Sequence, residues 1–141
     1  MSRPLDLVSR AALGWVFVQA GWGVVRNPHV PAKKAEPVLG AVRSAAPVPL
    51  PDDITLVRCN AAAQVVCGGA LALGIAPRAA AAALIGSIIP TTLGGHRFWE
   101  FDAGAERNSQ RNHLLKNLSI AGGLLHVLIT PRRQLTAEES A

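Results

Sequence analysis

The chain has 141 residues, the length of one domain; half of them are apolar and 16% are charged, below the roughly 25% of a typical soluble domain. With no Tyr and only three Phe and three Trp, the apolar mass is Ala, Leu, Val, Ile and Gly, which suits helices that pack closely in lipid. The net charge of +5 does not mark a nucleic-acid binder, because the basic residues stand at the edges of apolar stretches, where they meet headgroups, rather than on one face among aromatics.

The first apolar stretch covers residues 5–26. Asp6 and Arg10 interrupt it and no persuasive cleavage site follows, so it reads as a retained helix rather than a signal peptide. Asn27-Pro28 ends it, because the residue before Pro avoids helical geometry. The connection 27–53 holds six of the ten prolines. Within it, residues 32–46 place Val38, Leu39 and Val42 opposite Lys34, Glu36 and Arg43. That spacing fits either a short interfacial helix or a solvated loop.

The second stretch covers 54–76, with Asp52-Asp53 as its N-cap. Cys59 and Cys67, eight apart, lie about 12 Å apart along a helix axis, beyond the roughly 7 Å a disulfide tolerates. They read as small packing residues in a stripe with Ala63. Gln19, Asn60 and Gln64 are amides in apolar surroundings and are expected to bridge helices. A tight link around Pro77 forces an antiparallel hairpin with the third stretch, 78–95. Pro90 should release the carbonyl of Gly86, with Thr91 and Thr92 absorbing the cost. The connection 96–112 carries Phe98, Trp99 and Phe101 beside Arg97, an interfacial belt.

The fourth stretch covers 113–130 and contains Lys116, Asn117 and His126. Ionisable groups at such depth need a partner, a route to the surface or a role. A polar tail, 131–141, follows. The expectation is an all-α, four-helix transmembrane bundle, up-down-up-down, with both termini on one side, forming a single domain over 1–141. The absence of charge between residues 79 and 93 argues against a soluble bundle, whose helices would each show a polar stripe. The basic residues favour the long connections on the cytoplasmic side only weakly.

An antiparallel bundle brings the end of the third helix to the start of the fourth. His96, His113, Lys116 and Asn117, together with Arg58 and Asn60, are therefore the candidate lining of a polar pocket at one membrane surface, the other being comparatively bare. Such a pocket suits a quinone headgroup, an anion or a partner's redox centre, with the histidines exchanging protons near neutral pH. The alternative is a non-catalytic membrane scaffold or small carrier, in which the cations anchor helix ends and the polar groups are structural. No metal or haem motif, nucleophile motif or phosphate-binding loop is present, and no catalytic residue is singled out.

Four segments, in this order and spacing, resemble the DoxX family: Arg10-Ala-Ala-Leu-Gly-Trp-Val-Phe-Val-Gln-Ala-Gly-Trp-Gly, Gln64-Val-Val-Cys-Gly-Gly-Ala-Leu-Ala-Leu-Gly-Ile-Ala-Pro-Arg, Ile89-Pro-Thr-Thr-Leu-Gly-Gly-His-Arg-Phe-Trp and Leu115-Lys-Asn-Leu-Ser-Ile-Ala-Gly-Gly-Leu-Leu. The resemblance implies a small four-helix integral membrane protein in the bacterial plasma membrane. It also implies association with membrane or soluble oxidoreductases, some relatives being subunits of thiosulfate:quinone oxidoreductases. It points to Arg10, Gly14, Gly21, Gly68, Gly69, Gly74, His96, Lys116 and Asn117 as motif positions. This chain has Gln64 where relatives often carry Glu, so it lacks that acid for moving protons. Lipid is the expected partner, and homo-oligomerisation is left open.

Overall fold

The computed structural model describes residues 3–130; the predicted polar tail lies outside the described residues. The order of elements is α1 (Arg3–Arg26), α2 (His29–Ala45), α3 (Asp53–Ala72), α4 (Pro77–Gly95), a short 3-10 turn (Phe98–Glu100) and α5 (Ala105–Ile129). The described residues are thus all-helical, with five helices rather than four. The extra one, α2, occupies the proline-rich connection. Pro31 falls in its first turn, where no N–H is needed, and the helix continues through Pro37. Arg43 closes the return to α3 by an ion pair with Asp53 and a 2.6 Å hydrogen bond from Nη2 to the Pro51 carbonyl.

Other boundaries also moved. Asp52 caps α3 as expected: its carboxylate accepts from the Thr55 amide at 3.0 Å and the Thr55 hydroxyl at 2.7 Å. The helix stops at Ala72 rather than 76, because Gly74 turns left-handed at φ 72°. There the Ile75 amide bonds the Ala70 carbonyl and the Gly74 amide bonds that of Leu71, the Schellman pattern. Ala76, at φ 43°, completes the turn in a region that costs a residue with a Cβ. α5 begins at Ala105, earlier than 113, so two polar turns precede its apolar part. In α4 the hydroxyls near Pro90 bond the carbonyls of Ser87 and Ile88, not the Gly86 carbonyl that the proline releases.

α1 and α3 run antiparallel in backbone contact. A Cβ placed on Gly14 would lie 2.3 Å from the Gly68 carbonyl oxygen, and one on Gly68 2.7 Å from that of Gly14. Two turns along α1, a Cβ on Gly21 would meet the Ala61 carbonyl at 2.6 Å. Gly69 has no such neighbour, so only Gly68 of that pair is a contact residue. The core joins α1, α3, α4 and α5 through Phe17, Leu71, Ala80, Ala81, Leu84, Ile88 and Leu124.

The predicted small-residue stripe does not make the helix contact. Cys59 is exposed and only Cys67 packs against the core. Gln19 is likewise exposed and bridges nothing among the described residues. Large apolar side chains face outward: Trp15 is 61% exposed, Val66 70% and Leu118 65%. Two helical segments, Asp53–Ala72 and Pro77–Glu100, are long and apolar enough to cross a membrane, with only 22% and 33% of their most apolar windows buried. The core helix of a soluble protein would be mostly buried; here the apolar surface is turned out, where only lipid or another protein can cover it. α1 and α5, at 24 and 25 residues, are long enough but less apolar.

Gly14→Ala is expected to lower stability by about 1–3 kcal/mol, because backbone cannot yield to the added methyl. Gly23→Ala, with nothing within 4 Å of its Cβ position, should be neutral or gain a few tenths to about 1 kcal/mol; thermal melts in detergent compare the two. The bonds from Thr55 hold the Asp52 carboxyl below its ordinary range. Its contribution is therefore complete above the ordinary carboxylate value and is lost as pH falls through the lowered one. Asp52→Asn should flatten that part of the acid limb of a stability–pH curve.

Candidate functional site

His96 closes α4, its amide bonding the Thr92 carbonyl at 2.9 Å. On α5, Gln110, His113 and Asn117 share one face at spacings of three and four, with Lys116 beside them. The antiparallel pairing of α4 and α5 brings the two sets together. The His96 and His113 rings stack with centroids 4.6 Å apart and planes 11° from parallel. Lys116 Nζ lies 3.4 Å from His113 Nδ1.

The amide orientations settle which ring nitrogens carry protons. Gln110 Nε2 donates to Glu106 at 2.7 Å, which leaves Gln110 Oε1 to accept from His96 Nδ1 at 2.9 Å. His96 Nε2 is then the acceptor. An ammonium can only donate, so His113 Nδ1 accepts from Lys116 and Nε2 carries the hydrogen. His113 stands ahead of the apolar part of α5. Burial, then the charges of His96 and Lys116, push its pKa below the ordinary 6.5, against the opposing pull of Glu106.

Asn117 donates from Nδ2 to the Thr92 hydroxyl at 2.9 Å, the partner its depth requires. One residue back on α4, Thr91 begins a second network. Gln64 Nε2 donates to Ser87 Oγ at 2.9 Å and to Thr91 Oγ1 at 3.1 Å. Asn60 donates to Thr91 at 3.1 Å and accepts from Ser87 at 2.8 Å. Gln64 is 5% exposed and Ser87 8%. Asn60 and Gln64 thus bridge α3 to α4, as amides in apolar surroundings must.

Of the six candidates, His96, His113 and Lys116 form one cluster, Asn117 joins it at Thr92, and Asn60 belongs to the neighbouring network. Arg58 is exposed and makes no ion pair among the described residues. Arg97 pairs with Glu100 at 2.9 Å, while Phe98 meets Trp99 edge-on and Arg107 lies 6.0 Å above Phe98. Sequence reasoning missed Gln110, Glu106, Thr92 and Lys34. The first two fall within the predicted connection 96–112. Their i, i+4 spacing, with His113 three residues further on, is the helical signal that would have found them.

The opposite end is not bare. Arg10 turns inward to Asp6 at 3.1 Å, its side chain 16% exposed. With Pro77, His126, Val127 and Thr130 this pair lines a cavity of about 20 Å³, room for one water. Arg78 Nε bonds the Leu128 carbonyl at 2.8 Å, tying the start of α4 to the end of α5.

Among families of known proteins, the model for DoxX matches residues 5–97, about two thirds of the chain, and the chain belongs to the DoxX family of membrane proteins. No curated protein and no solved structure matches it.

Ser87→Ala should cost about 1 kcal/mol, because it removes the hydroxyl that accepts from Gln64 and donates to Asn60 while Gln64 keeps its bond to Thr91, and a detergent melt reads the loss. Because the His113 pKa is depressed in the fold, the unfolded chain takes up the proton first. This group's stability is complete above pH 6.5 and is lost as pH falls through the lowered value. Lys116→Met should raise the His113 pKa, followed by imidazole NMR titration.

Proposed function

We propose that this chain is a multi-pass protein of the bacterial plasma membrane. In this reading α1, α3, α4 and α5 cross the bilayer in alternating directions, both ends of the chain lie on one side, and α2 lies at the opposite surface. It serves as a subunit or docking partner of a quinone-linked oxidoreductase system. The observation that carries the redox reading is the stacked His96–His113 pair with Lys116 at 3.4 Å, held at the edge of apolar helices.

The donor set fits a quinone headgroup. Lys116 and His113 Nε2–H are donors for a carbonyl or phenolate oxygen, and His96 Nε2 accepts a proton from a hydroxyl. A bound quinone supplies two-electron, two-proton chemistry. The electrons enter from the partner oxidoreductase, and this chain binds the headgroup and holds or moves the proton. Gln110 and Glu106 orient His96. Membership of the DoxX family, some members of which are subunits of thiosulfate:quinone oxidoreductases, supports the same reading.

A second reading, a non-catalytic membrane scaffold, is favoured by the amides. Asn60, Gln64 and Asn117 bond hydroxyls of the same chain, which is what helix packing alone would ask of them.

Titrating the detergent-purified protein with a short-chain quinone should quench tryptophan emission saturably, Trp99 lying three residues from His96. Lys116→Met combined with His96→Ala should weaken the apparent affinity by about tenfold or more, the loss of a charged and a neutral donor–acceptor group. Linear, unsaturable quenching, or equal affinity in the double variant, favours the scaffold.

A further inference from the structure

α2 carries basic residues that the histidine site does not use. It leaves α1 through Asn27 and the buried Pro28, and it seats on the bundle through the buried Ala32 and through Ala35. A Cβ on Gly94 of α4 would lie 3.2 Å from the Ala35 Cβ, so these two small residues bring the helices close. This seating leaves His29, Val30, Lys33 and Lys34 lining an open groove of about 410 Å³. Val30 is 67% exposed.

No ion pair engages His29, Lys33 or Lys34 among the described residues. The single carboxylate of the helix, Glu36, makes none with them. The groove thus combines an exposed apolar side chain with unneutralised positive charge. Beside it, at the end of α1, Arg26 lies 4.8 Å above the Trp22 ring, an arrangement suited to headgroup depth.

We propose that this groove is a site for an anionic phospholipid, its phosphate held by His29, Lys33 and Lys34 and the start of an acyl chain laid on Val30. The proposal stands on charge complementarity and on the exposed apolar contact, and it is independent of the quinone reading. A zwitterionic headgroup places its own ammonium against the lysines, whereas a net negative one does not. A soluble anion would use the charge and leave Val30 bare.

The test uses native mass spectrometry of the full-length, delipidated protein in detergent. It is titrated with phosphatidylglycerol or phosphatidylcholine of equal chain length. Each lysine near an anionic surface contributes about fivefold. The wild type should therefore retain phosphatidylglycerol preferentially, and K33Q/K34Q should lose most of that preference. R107Q/R111Q removes the same charge from the exposed first turns of α5 and should keep it. Both lysines are exposed, so the substitution does not touch the core. Equal retention of the two lipids by the wild type, an undiminished preference in K33Q/K34Q, or full displacement by millimolar inorganic phosphate overturns the proposal.

Discussion

The contact on which the rest depends is backbone against backbone. Gly14 and Gly68 touch so closely that neither tolerates a methyl group, and this sets the spacing of α1 and α3. In lipid no hydrophobic force pulls helices together, so close approach and the dispersion and polar contacts it permits carry the association. The same approach places Gln64 one turn from Gly68, with its Cβ 3.1 Å from the Cβ position of Gly21. The amide is thereby sealed from water and must find its partners on α4.

Polarity along α4 is graded. His96, Thr92, Thr91 and Ser87 carry hydrogen bonds to α3 and α5. Beyond them Leu84, Ala81 and Ala80 are buried in the apolar core with Leu71 and Leu124. The polar run covers ten positions, about 14 Å at helical rise, and ends on this plug. The Asp6–Arg10 pair and its cavity lie past it. This apolar plug separates the His96–His113 pair from the Asp6–Arg10 end of the bundle.

Much of the fold was legible in the sequence because apolar runs, capping residues and prolines act locally. Asp52 caps α3 through neighbours three residues away, and the turn around Pro77 follows from chain geometry. α2 was less legible: its proline count argues against a helix, and only its seating on α4 through Ala35 and Gly94 settles the matter. Likewise the early start of α5 is supported by Gln110 reaching His96 on another helix, a contact that no local pattern contains. Arg10 looks like a headgroup anchor by position, yet Asp6 four residues before it turns it inward.

By itself the amino-acid sequence determined the helical class, most of the four long apolar segments and the convergence of His96, His113, Lys116 and Asn117, because periodicity and chain reversal are short-range properties. The tertiary structure decided which of these groups touch. It stacked the imidazoles, chose Thr92 for Asn117, left Arg58 and Gln19 outside, and placed α2 across the end of α4. Such choices rest on close backbone approach between helices far apart in the chain, and that information exists only once the helices have met.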